Sequence, residues 1–258
     1  EQGGQLTREY KQSGYDLIKI HEGLSRDVFD AVATTANEIG IPFGGHVPDE
    51  VGLLRALGSG QASIEHLDNY IQALAPIAGH PTESPVSQDV GELVNVVDER
   101  RIPELVDATR TAGAWVVPTM VLWETAFFGD QAAAELRTTR PEVRYMPPET
   151  VEQWSGAVDD RRGNSNASIN RRVRELRRTI LKALHEGGAR ILLGTDSPQV
   201  FSVPGFAMHR EMGLWVGLGM TPYQVLESGT RRAAEYFDLT DEFGSVAVGH
   251  RADLLLLT

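Results

Sequence analysis

The chain has 258 residues, 41% of them hydrophobic, enough for one large core or two smaller ones, and that composition excludes a disordered chain. A formal charge of −12 leaves no basic excess to neutralise phosphates, so no nucleic-acid partner is expected. Without cysteine there are no disulfides or thiolate metal sites, and any metal must be held by histidine, carboxylate or a modified side chain.

In chain order, residues 15–20 come first and read as a short apolar strand with Lys19 in its middle. An ammonium in a buried strand costs free energy unless it is paired, neutralised or chemically altered. Residues 25–40 read as a helix, with Ser25 as N-cap, Gly40 as the stop and Val28, Val32, Ala36 and Ile39 as the apolar set. "IPFGGHV" reads as a strand, Pro48 and Asp49 open a short helix, and "QASIEHL" is strand-like again. Strand, helix, strand, helix, strand with short links is the mark of βα units and a parallel sheet.

"GHPTESPVSQDVGE" is a loop by composition, and a helix is expected over about 101–112. "AGAWVVPTMVL" gives a further buried strand with Pro118 near its end. A long excursion over 123–188 closes on "NASINRRVRELRRTILKALHEGG". There Val173, Leu176, Ile180, Leu181 and Leu184 form one stripe, and the basic residues read as a solvated face. "GARILLGTDS" is the last clear strand, and Thr221–Pro222 start the helix "PYQVLESGTRRAAEYF". No apolar run approaches the ~18 residues that cross a bilayer, so no membrane partner is expected. The compartment, cytoplasmic or exported, is not fixed by these residues.

Four polar residues fall at the carboxyl ends of predicted strands: Lys19, His46, His66 and Asp196. In a parallel α/β barrel that end carries the active site. Taken singly, each has a plainer reading. A histidine at a strand end is usually a hydrogen-bonded structural residue, an aspartate after "GT" a helix cap, and Lys19 an ion-pair partner of Glu22 or Glu65. Their placement on one face is what points to a site.

At this point the chain resembles the amidohydrolase superfamily of metal-dependent hydrolases, in its prolidase-like and imidazolonepropionase-like branch. The motifs that carry the resemblance are "GYDLIKIHEGLS", "GIPFGGHVP", "GQASIEHLDNY", "VVPTMVL", "LLGTDSPQVFSVPGFAMHREM", "GMTPYQVLESGT" and "FGSVAVGHRADLLLL". They run in order over most of the chain outside 123–188. The resemblance implies an α/β, (β/α)8 TIM barrel, with Lys19 on the fourth strand, His46 on the fifth, His66 on the sixth and Asp196 on the eighth. It further implies one or two divalent metals, zinc above all, held by Lys19 as an N6-carboxylated side chain, by the two histidines and by Asp196. Metal-bound hydroxide would attack an amide or peptide bond of a dipeptide-like or N-acyl amino-acid substrate, with Asp196 as catalytic proton shuttle.

One part of the pattern is not present. The family's first strand carries a His-x-His pair, and no two of the seven histidines here are separated by one residue. Only eighteen residues precede Lys19, so strands four to eight are expected within 1–240 and strands one to three are expected to be missing. Residues 241–258 are expected to form the returning strand of a small β-sandwich. Such a chain is expected to pair with another copy or to depend on the missing N-terminal segment. Two other readings stand beside this one: an inactive or single-metal fragment, and a Schiff-base aldolase using Lys19, which leaves His46, His66 and Asp196 without a role. His21, Tyr70, Tyr145 and His209 are the candidates to border a substrate pocket.

Overall fold

The computed structural model describes residues 2–75 and 90–256. His80 and most of the "GHPTESPVSQDVGE" loop lie outside those residues. The elements are α1 (Gln2–Gln12), β1 (Ile18–Ile20), α2 (Arg26–Ile39), β2 (Phe43–Gly45), α3 (Leu53–Gly58), β3 (Ser63–Glu65) and α4 (Tyr70–Leu74). After the gap come α5 (Val90–Leu93), α6 (Ile102–Ala112), β4 (Trp115–Val117), α7 (Met120–Leu122), α8 (Ala133–Thr139), α9 (Pro148–Asn164) and α10 (Ala167–Glu186). The last are β5 (Arg190–Ile191), α11 (Phe206–Gly217), α12 (Pro222–Ser228) and α13 (Arg231–Tyr236).

All strand pairs are parallel and the sheet order is β1-β2-β3-β4-β5. Strands that neighbour in sequence also neighbour in space, as in an arc of a (β/α) barrel. The carboxyl ends of the strands therefore lie along one rim, with the residues after each strand in reach of the next.

Local chemistry explains most of these elements. Helix α2 has Ser25 at its N-cap, and Gly40 closes it in the left-handed region with φ 66°. It buries Phe29, Val32, Ala33 and Ala36 against the sheet, while Val28 turns outward onto α1 at Gly3. Helix α1, which carries no strong sequence signal, is held by this contact with α2. The helix expected from Pro48 starts later, at Leu53. Pro48 instead opens a turn in which the Val51 and Gly52 amides donate to its carbonyl. The long helix before β5 buries the stripe read from the sequence, Val173, Leu176, Ile180, Leu181 and Leu184. Thr221 and Gln224 form a capping box at the start of α12. The single helix expected there breaks at Gly229 into α12 and α13.

The core joins Phe29, Phe43, Ile64 and Val116 to Leu105, Leu176 and Leu184, so sheet and flanking helices share one apolar interior. A smaller cluster of Ala133, Leu136, Val158 and Phe201 packs part of the excursion against the loop after β5. Residues 241–256 form turns and unpaired chain, and none of them joins a strand. No helix of the described residues is long and apolar enough to cross a membrane.

Candidate metal centre

Lys19 sits in β1 as expected, but it is not buried. Ile18 and Ile20 face the core while the lysine side chain is half exposed on the other face. That corrects the expectation of a charge sunk in an apolar strand: strand alternation puts Lys19 on the open face of the sheet. Gly45 of β2, at φ 121°, makes room for it. A Cβ there would meet the Ile20 carbonyl at 2.5 Å and the Lys19 stem at 3.0 Å. The Lys19 ammonium pairs with Glu65 at the end of β3, one of the two partners the sequence allowed.

His66 follows Glu65 directly. In a regular strand two consecutive side chains point to opposite faces. Here His66 has φ 58°, and this left-handed turn ends the strand and brings both side chains to one side. His66 Nε2 lies 3.7 Å from Glu65 Oε2. His66 Nδ1 shares a 2.7 Å hydrogen bond with the hydroxyl of Thr119, itself at φ 42° just past β4. Burial first, then the charges of His46 and Lys19, push His66 down to about 3, so it is neutral and carries a free ring-nitrogen lone pair near pH 7.

His46, the first residue after β2, lies beside two other imidazoles at a tilt, with ring centroids 4.8 Å from His21 and 4.6 Å from His66. Its Nδ1 is 2.8 Å from Asp68 Oδ2 and 3.7 Å from Glu22 Oε1. Burial opposes charge on His46, but the hydrogen bond and charge of Asp68, with Glu22, outweigh it and raise the group. Asp68 is itself raised by burial, against the hydrogen bond to His46. Asp68 fixes the ring orientation and leaves Nε2 for another partner, the arrangement that metal-ligating histidines ordinarily have.

Among the described residues, two groups of side chains have ligand atoms within 4.8 Å of one another: His46, Glu65 and His66, and Glu22, His46 and Asp68. Two imidazoles and a carboxylate suit zinc or a similar divalent ion. The donor set thus fits a metal at His46 and His66. Asp196 is placed differently. It stands exposed beyond β5 at φ 54°, accepts a 3.3 Å hydrogen bond from Gln199 Nε2, and belongs to neither group.

Of the pocket candidates, His21 is beside His46. Tyr70 is not at a pocket: it is fully buried, with its hydroxyl 2.8 Å from Thr109 of α6, and burial raises its pKa. It follows β3 by too many residues, so α4 has already turned it into the core. Tyr145 is exposed and stacks on Phe206, and His209 is exposed on α11. Asp68 and Thr119 break no local sequence pattern. Arg177 was read as part of a solvated face, yet it is 3% exposed, donates to the His66 and Pro118 carbonyls and stacks on Trp123 with its guanidinium 4.3 Å from the ring centroid. Its place among the buried stripe of α10, one residue after Leu176, was the available signal.

Comparison with known proteins now decides the family. The amidohydrolase family model matches residues 19–258. The chain belongs to the amidohydrolase family. Among solved structures it is similar to a bottromycin amidohydrolase at 25% identity and TM-score 0.64, over 93% of this chain and 50% of that one. It also resembles a Xaa-Pro dipeptidase at 20% identity and TM-score 0.57, over 97% of this chain and 50% of that one. An A. niger ochratoxinase shares the fold at 15% identity and TM-score 0.56, over 97% of this chain and 46% of that one. The chain spans about half the length of these amidohydrolase-fold structures. No curated protein matches it. Among the described residues the five parallel strands form an arc of a (β/α) barrel, in keeping with this family.

Proposed function

We propose that the chain carries metal-ligating residues of a metal-dependent hydrolase that cleaves an amide or peptide bond in a small substrate, dipeptide-like or N-acyl amino-acid in type. The observation that carries this is the convergence of His46, Glu65 and His66 at the carboxyl rim of a parallel sheet in an amidohydrolase chain. A divalent ion at such a site supplies Lewis acidity, lowering the pKa of water and polarising the scissile carbonyl.

The chain's own residues divide the work. His46 and His66 would hold the ion through Nε2, with Asp68 and Thr119 orienting the rings. Lys19 and Glu65 supply the anionic side of the site. Lys19 would do so as the N6-carboxylated side chain that the family resemblance implies, once released from Glu65, and Glu65 through its own carboxylate. Asp196, on an exposed loop where its carboxylate accepts from Gln199, is assigned the proton transfer to the leaving amine and the second ligand position.

Zinc stoichiometry is the test. The chain should bind zinc, and His46→Ala or His66→Ala should abolish binding at micromolar metal. Zinc held equally well by both variants would end the proposal. The aldolase reading has only Lys19 in its favour and leaves two oriented histidines idle.

A further inference from the structure

Beside the histidines lies a cavity of about 190 Å³, lined at the rim by the residues that follow β1, β2, β3 and β4 and floored by α10. Glu22 and Asp68 belong both to its wall and to the His46 group, so whatever fills it lies next to the metal ligands. Three of its wall residues each have a buried polar atom with no hydrogen-bond partner: Asn69 Oδ1, Trp123 Nε1 and Arg177 Nε. Buried polar atoms are paired in all but a few cases, and an orphan asks for an explanation. Three on one cavity ask for a common one.

Their chemistry is definite. The side-chain amide of Asn69 donates from Nδ2 to the Val47 carbonyl at 2.8 Å and to Asp49 Oδ1 at 3.4 Å. Both partners are acceptors, so the amide cannot be flipped, and Oδ1 is an acceptor that lacks a donor. Trp123 Nε1–H and Arg177 Nε–H are donors that lack acceptors. The missing occupant must therefore offer at least one N–H and one acceptor oxygen. Its charge is limited from both sides. Glu22, Asp49 and Asp68 in the wall disfavour an anion, and the guanidinium of Arg177 in the floor disfavours a cation. The remaining walls are largely apolar, with Leu67, Ile71 and Phe128 among them.

We propose that this cavity is a recognition subsite for an uncharged carboxamide group of the substrate, such as a peptide amide or a terminal amide, rather than for a free carboxylate. The assignment of that group to a substrate rests on the hydrolase reading above; its binding does not. An amide carbonyl is an acceptor for Trp123 and Arg177 and its N–H a donor for Asn69, so the complement of this one group matches all three orphans. The substrate class is thereby narrowed to amides carrying a second amide beside the scissile one, in preference to free dipeptides.

The chain has four tryptophans, so its indole N–H signals can be followed individually by NMR, with that of Trp123 assigned by its loss in Trp123→Phe. Isobutyramide should shift the Trp123 signal saturably in the chain without metal. Isobutyrate, with a carboxylate in place of the amide, and N,N-dimethylisobutyramide, with no N–H, should each bind about tenfold or more weakly. Trp123→Phe keeps the aromatic face under Arg177 and should weaken the primary amide by about tenfold, with the other indole signals unmoved as the control for folding. A Trp123 signal that the amide leaves unmoved, or a carboxylate that binds as tightly as the amide, overturns the proposal. Zinc titration of the same sample separates the two readings: zinc bound with no amide response removes the subsite and leaves the hydrolase, and the converse does the opposite.

Discussion

At the scale of single residues, the site depends on carboxylates that touch imidazoles. Asp68 reaches back to His46 from the far side of His66, and it is almost wholly buried. Replacing such an orienting partner ordinarily costs about 10–100-fold in metal affinity. Asp68→Asn should therefore weaken zinc binding by that factor without abolishing it, as read by competition with a chromophoric chelator. An unchanged affinity would show that His46 needs no orienting. The Lys19–Glu65 pair sets a second test. If the lysine is the anionic ligand, Lys19→Ala should lose zinc and the wild type should take up labelled carbon dioxide as a carbamate seen by carbon NMR. If Glu65 is the ligand, Glu65→Ala should lose the metal while Lys19→Ala keeps it.

Glu211 is a residue of another kind. It lies on α11, fully buried, and accepts from the Met120 and Val121 amides at 2.8 and 2.7 Å and from Trp215 Nε1 at 2.8 Å. It thereby ties down the turn after β4 that carries Thr119. Burial raises it to about 7, against those three donors. The folded state thus holds this proton more tightly than the unfolded one. Its contribution is fully present below the ordinary carboxyl pKa near 4.5 and is lost as pH rises to about 7, a change of about 3 kcal/mol. Glu211→Gln should be less stable at pH 5, having lost an acceptor for Val121, and its stability should fall less than that of the wild type between pH 5 and 7. Parallel urea curves for the two proteins across that range would refute the assignment.

At the scale of elements, the excursion over 123–188 is a buttress. Arg140, 8% exposed, donates to the Phe201 carbonyl at 2.7 Å and to the Thr125 hydroxyl at 2.6 Å. Arg210 and Glu142 pair beside it, and Phe201 packs with Leu136 and Val158. The loop that carries Asp196 is thus fastened to α8 and α9. Arg140→Met should leave the Phe201 carbonyl unpaired and cost about 1–3 kcal/mol in urea unfolding. A loss within error would mean that this loop is held by packing alone.

The same elements show what the chain's text reveals and what it hides. Lys19 was legible because a charge in the middle of an apolar strand breaks a local pattern, and His46 and His66 because each directly follows such a strand. The α10 stripe was legible for the same reason, as a period. Asp68, Thr119 and Arg177 act across 22, 53 and 111 residues of chain, and no local pattern encodes such distances. The strands were read too long, because apolar residues such as Tyr15 and Leu193 extend the pattern beyond the paired ladder. Tyr70 was misplaced because a one-turn change in where α4 begins decides between rim and core.

At the scale of the whole molecule, the described chain presents surface that a folded monomer ordinarily covers. Among the described residues β1 and β5 each have one strand neighbour, so each offers a row of backbone groups for pairing. Val246, Val248, Leu255 and Leu256 are 86%, 105%, 91% and 94% exposed, and Leu254 is 60% exposed. Side chains this exposed contribute almost nothing to the stability of the chain by itself, since no apolar area is removed from water. They contribute to association, where the same area becomes buried. The charge of −12 opposes contact between copies, and salt screens it. The chain should therefore self-associate as concentration rises, more strongly at 0.5 M than at ~0.05 M salt, with a Debye length falling from about 14 Å to about 4 Å. Replacing Leu254, Leu255 and Leu256 together by serine should leave the urea midpoint within about 0.5 kcal/mol of the wild type and reduce the association seen by sedimentation velocity. A large loss of stability would show that the leucines pack in solution. Association unchanged by the triple replacement would shift the contact to the open edges of β1 and β5.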